Sequence, residues 1–111
     1  MTTQRRINMR NINFIQTSQQ CFYFVECSTA EMGDTIVAYK DNTPVGYREW
    51  NGQHTDIPTM GVDSLIQDTM NYMMVGDIPS FKLIKKSGRS IDLNGQVPPW
   101  GPTQIHHITL Y

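Results

Sequence analysis

The sequence predicts an all-β chain: a single β-sandwich or jelly-roll-like domain behind an extended N-terminal arm. Three observations carry that expectation. Short β-branched and aromatic stretches alternate with turn residues at intervals of about 8–12 residues, the spacing of sandwich strands. At 111 residues there is room for one core of ordinary size. Charged residues are only 17% of the chain. The polar share therefore falls to Asn, Gln, Thr and Ser, which with Gly and Pro suit turns and polar sheet faces.

The elements follow in order. Residues 1–13 read as an arm, with Arg5, Arg6 and Arg10 among few apolar neighbours. The sandwich domain is assigned to residues 14–111. Cys21–Glu26 is aromatic and β-branched, and reads as the first strand. Met32-Gly33-Asp34 is a turn before the strand Thr35–Tyr39. At Asp41-Asn42-Thr43-Pro44 the chain turns again, with Asn42 suited to positive φ. Val45–Trp50 forms a third strand, and Asn51-Gly52 is a strong tight-hairpin dipeptide. Thr55–Met60 is extended, and Pro58 confines it to a sheet edge or an irregular position. Leu65–Met74 is ambiguous: its apolar spacing suits a helix capped by Asp63 or Ser64, but also a loop and strand. Ser80–Lys85, Ser90–Leu93 and Ile105–Tyr111 complete a set of about seven or eight strands.

Composition excludes several classes. The net charge of −1 lacks the basic excess of a nucleic-acid module. No apolar run approaches the ~20 residues of a membrane span. No apolar segment follows the N-terminal arginines, so no secretory signal is visible; the expectation is either that the protein is not exported as a free chain or that it reaches its location as part of an assembly. Cys21 and Cys27 sit six apart on one strand, about 20 Å, beyond disulfide reach.

No nucleophile elbow or acid–base constellation is present, so the chain is expected not to be an enzyme. His106 and His107 point to opposite sheet faces and cannot chelate one metal together; His54 stands apart from them. Asp34, Asp41, Asp56, Asp63, Asp68 and Asp77 all lie in or beside turns. They are expected to cap backbone amides, although turn carboxylates can also gather a Ca²⁺. No cofactor is expected otherwise. Trp50 and Trp100 flank Gly- or Pro-rich turns. Buried, they plug the ends of a sandwich; exposed, they are platforms for sugar rings or a partner.

The middle of the chain has a distinctive cadence. Gly33-Asp34-Thr35-Ile36-Val37-Ala38-Tyr39 is followed by Pro44-Val45-Gly46-Tyr47 and Trp50-Asn51-Gly52. Thr55-Asp56-Ile57-Pro58-Thr59-Met60-Gly61, Tyr72, Gly76-Asp77-Ile78-Pro79-Ser80-Phe81-Lys82 and a late Pro99-Trp100 come next. This order resembles an all-β module of marine bacteriophage proteins, especially of cyanophages, and of secreted surface proteins of marine bacteria. The chain departs from that module at Pro44, where the module has Cys, and at Val62-Asp63, where it has an acidic pair. The resemblance implies a non-catalytic β-sandwich displayed on a virion or cell surface.

The first functional expectation is therefore a virion structural protein: a small capsid-decorating (cement) protein, or a tail or fibre accessory. Its partners would be the major capsid protein or other virion subunits, with many copies per particle or a homo-oligomer, and no nucleic acid or membrane. Arg5, Arg6 and Arg10 would then grip neighbouring subunits. The alternative is a carbohydrate-binding or adhesion module that holds a host-surface glycan through Trp50 and Trp100.

Overall fold

The computed structural model describes residues 6–9 by their backbone, and residues 12–53 and 55–111 in full. The chain is all-β. Its strands are β1 (Arg6–Met9), β2 (Ile12–Ile15), β3 (Gln20–Cys27), β4 (Thr35–Lys40), β5 (Thr43–Glu49), β6 (Thr55–Met60), β7 (Ser80–Ile84), β8 (Ser90–Leu93) and β9 (Ile105–Leu110). Three strands in the order β6-β3-β9 form one sheet; four in the order β5-β4-β7-β8 form the other. β1 and β2 make a separate antiparallel ribbon.

Period-2 alternation builds the core. Cys21, Tyr23, Val25 and Cys27 of β3 point inward, as do Phe81 and Leu83 of β7 and Ile108 and Leu110 of β9. Tyr23 meets Phe81 edge-to-face with ring centroids 5.6 Å apart, so the two sheets pack face to face around these side chains. Both cysteines are free thiols within this layer. Pro58 lies on β6, an edge strand, where its missing N–H costs no ladder bond.

The two sheets also meet along both flanks. On one, β5 crosses β6 so closely that a Cβ on Gly46 would lie 1.7 Å from the Pro58 carbonyl oxygen. On the other, Asn94 after β8 exchanges two backbone hydrogen bonds with Tyr111 after β9, at 2.7 and 2.9 Å.

Four details differ from the sequence reading. Residues 6–9 pair with 12–15 as a hairpin, so this part of the segment read as an arm is a β-ribbon. Phe14 and Ile15 bury themselves, and the Ile15 N–H donates to the Tyr72 hydroxyl at 2.6 Å, which ties β2 to the body. Asp41, not Asn42, takes the left-handed conformation of its turn, at φ 53°. Asn51-Gly52 does not close a tight hairpin. β5 and β6 belong to different sheets, and the turn is held instead by the Thr55 hydroxyl, which bonds Gly52 O at 2.7 Å and Asn51 Oδ1 at 3.0 Å.

One buried carboxylate links the loops. Asp34 is fully buried, and accepts hydrogen bonds from the Glu31 and Lys86 N–H groups at 2.9 and 3.2 Å. The Lys85 ammonium lies 2.5 Å away and also reaches Glu31 at 2.8 Å. Burial alone would raise the Asp34 carboxyl, but Lys85 and the two amides outweigh it and hold it below its ordinary value. Lys40 and the Met74 N–H likewise hold Asp77 down. For a depressed carboxyl the stabilisation is present above the unfolded-state value of about 3.9 and is lost as pH falls below it. Melting temperature is therefore expected to drop as pH falls below about 4, and Asp34→Asn to flatten that drop. Thermal melts over a pH series test this. An acid limb equally steep in both proteins would assign it to other groups.

Candidate functional site

The connection between β6 and β7, residues 61–79, is the longest in the described body, and it is firmly fixed. Gly61 and Met73 form a parallel β-bridge. The Val62 N–H donates to Met73 O at 2.9 Å, and the Met73 N–H to Met60 O at 3.2 Å. Leu65–Met74 is not a helix. Only Gln67–Thr69 makes a 3₁₀ turn, because the Thr69 hydroxyl takes over the local bonding: it donates to Ile66 O at 2.6 Å and accepts from the Asp63 N–H at 3.0 Å. Tyr72 and Met73 are buried. Lys40 reaches both Tyr72 O at 3.0 Å and Asp77 at 2.8 Å. The Trp100 N–H donates to Asp77 O at 2.7 Å, and the Gly76 N–H donates back to Trp100 O at 3.0 Å.

With its inward side so occupied, the connection turns large apolar side chains to solvent. Leu65 is 88% exposed, Val75 78% and Ile78 62%; Met70 and Met74 are also exposed. Scattered exposed apolar residues are ordinary, but five large ones on one hydrogen-bonded connection give a partner apolar area to cover. Met side chains there add adaptability.

A second feature is a groove of about 430 Å³ between β2, β3, β5 and β6. Phe14 and Tyr47 stand edge-to-face in it with centroids 5.4 Å apart, and half-buried Phe22 and Pro58 extend the apolar floor. Arg48 lies along its side. Its Nε donates to Asp56 O at 3.0 Å and Nη2 to Asp56 Oδ2 at 3.1 Å.

The residues singled out from the sequence are not brought together. Trp50 and Trp100 are 6% and 4% exposed, so both serve as core plugs and neither presents a ring face to solvent. The Trp100 indole N–H donates to Thr59 O at 2.9 Å. Arg5, Arg10 and His54 lie outside the described residues; Arg6 opens β1, which is described by its backbone alone. The turn aspartates mostly cap amides or pair with cations: Asp63 accepts from the Leu65 N–H at 3.0 Å and Asp77 from the Met74 N–H at 2.9 Å, while Asp56 pairs with Arg48. Among the described residues no cluster of three or more His, Cys, Asp or Glu side chains is placed to hold a metal ion. Comparison with protein-family models, with curated proteins and with solved structures found no significant match.

Proposed function

We propose that this chain is a non-enzymatic structural protein of a bacteriophage virion, either a small capsid-decorating protein or an accessory of the tail or fibre. The observation that carries the reading is the pinned 61–79 connection with Leu65, Met70, Met74, Val75 and Ile78 turned outward. A surface of this kind loses free energy of exposure when a neighbouring subunit covers it, and its rigidity keeps the ordering cost of docking low. The resemblance of residues Gly33–Lys82 to the marine phage module supports the same conclusion. In this reading the N-terminal segment, through Arg5, Arg6 and Arg10, supplies a second contact with the major capsid protein or another virion subunit. The protein is then present in many copies at the virion surface.

Quantitative mass spectrometry of gradient-purified virions tests the proposal. Many copies per particle are expected. Absence from particles, with the protein confined to the soluble fraction of infected cells, would overturn it. The triple variant Leu65→Ser, Val75→Ser, Ile78→Ser should fold with an unchanged melting temperature and bind stripped particles at least about tenfold more weakly. That factor corresponds to only about 1.4 kcal/mol across three buried side chains. Undiminished occupancy would remove the loop from the interface.

A further inference from the structure

The groove between β2, β3, β5 and β6 shares no residue with the exposed connection and does not depend on the virion reading. We infer that it is a binding site for a neutral carbohydrate chain. Three properties lead there. Its floor is aromatic and apolar, from the half-buried rings of Tyr47 and Phe22, with the buried Phe14 ring packed behind Tyr47, and such faces suit the C–H faces of a pyranose ring. Its walls carry planar polar groups with spare capacity. The Tyr47 hydroxyl and the Gln16 amide have no partner among the described residues. Gln20 commits its Nε2 to Thr17 O at 2.7 Å, which leaves its amide oxygen to accept. Among the described residues Arg48 is the one ionic side chain lining the groove, and Asp56 already pairs with it at 3.1 Å.

Those properties decide between ligand classes. A phosphate or a nucleic acid would want uncompensated basic charge, and Arg48, the basic side chain among the described lining residues, is already paired with Asp56. A purely apolar ligand would strand the tyrosine, glutamine and arginine donors. A polyol ring satisfies both surfaces at once, with its C–H faces on the aromatic floor and its hydroxyls on the amide, phenol and guanidinium edges. The volume of about 430 Å³ lies in the range of about 300–1,000 Å³ typical of small-ligand clefts. A proline-rich peptide is the other ligand that seeks aromatic grooves. The number of hydroxyl-matching planar side chains favours the sugar.

The test is a glycan array of neutral saccharides, with bacterial O-antigen and capsular chains included, followed by titration calorimetry on the strongest hit. A proline-rich decapeptide and a heparin octasaccharide run beside it. Millimolar or tighter binding to at least one neutral saccharide is expected. Tyr47→Phe, which removes only the unpartnered hydroxyl, and Phe22→Leu, which keeps bulk but loses the ring plane, should each weaken it about 3–10-fold. Their melting temperatures should stay close to that of the wild type; if Phe22→Leu proves unstable, Tyr47→Phe and Gln16→Ala decide. The inference is overturned if no neutral saccharide binds at about 10 mM. It is equally overturned if binding ignores these variants, or if only the peptide or only heparin binds.

Discussion

Trp100→Ala is expected to cost about 3–5 kcal/mol of stability and to lower the melting temperature by about 15–25 °C. The indole is almost wholly buried, so its removal leaves a hole that the backbone can only partly fill. Its ring lies so near Gly61 that a Cβ there would come within 2.2 Å of it, and Gly61 begins the connection that carries the exposed apolar side chains. The Trp100 backbone holds the far end of the same connection through Asp77 and Gly76. One residue thus supports both ends of the candidate docking surface. Trp100→Phe separates packing from hydrogen bonding. It refills much of the hole but leaves Thr59 O without the indole N–H, for an expected loss of about 1–3 kcal/mol. Calorimetric melts give the two losses, and chymotrypsin reports on the connection, with faster cleavage at Tyr72 or Leu65 expected in the alanine variant. A shift below about 5 °C in Trp100→Ala would mean that the site collapses without penalty.

Much of the sandwich-like body is legible in the sequence because its strands obey period 2. Cys21, Tyr23, Val25 and Cys27 alternate with Phe22, Phe24 and Glu26, and every inward member is buried. The same holds for Phe81 and Leu83, and for Ile108 and Leu110. What stays hidden depends on partners far away in the chain. Ile12–Ile15 is short and has no turn signal of its own; it is a strand because residues 6–9 pair with it and Tyr72, 57 residues away, bonds its backbone. β3 and β9 pair in parallel across a separation that no local pattern reports. Leu65–Met74 has helical spacing, yet Tyr72 and Met73 must face inward together while Leu65 faces out, and tertiary contacts override the local preference. The groove is hidden for the same reason, since Phe14, Gln20, Tyr47 and Arg48 come from three different strands. One local clue does exist: a glycine inside a strand signals close approach of another backbone, and Gly46 sits beside Tyr47.

Gly46→Ala is expected to be the most damaging one-methyl change in the body, at about 3 kcal/mol or more. The added Cβ would stand 1.7 Å from Pro58 O, 2.9 Å from Pro58 C and 3.4 Å from Thr59 Cα. All three atoms are backbone, so no side chain can swing away, and β5 must part from β6 by more than about 1 Å to restore van der Waals contact. Gly52→Ala is the control. Its Cβ would meet nothing within 4 Å, and only its φ of +110° resists the change. That strain is expected to cost about 1–2 kcal/mol. If close approach is the cause, Gly46→Ala will melt well below Gly52→Ala; equal melting temperatures would refute it. The flank also carries the groove. Tyr47 and Arg48 follow Gly46 on β5, while Asp56 and Pro58 lie opposite on β6. Parting the strands stretches the 3.0 Å bond from Arg48 Nε to Asp56 O and releases the guanidinium from its counterion. The groove would then gain an unbalanced positive charge. Under the carbohydrate reading, whatever Gly46→Ala protein remains folded should lose affinity for the neutral saccharide and gain affinity for heparin. A stability loss with both affinities unchanged would show that the groove does not depend on this crossing.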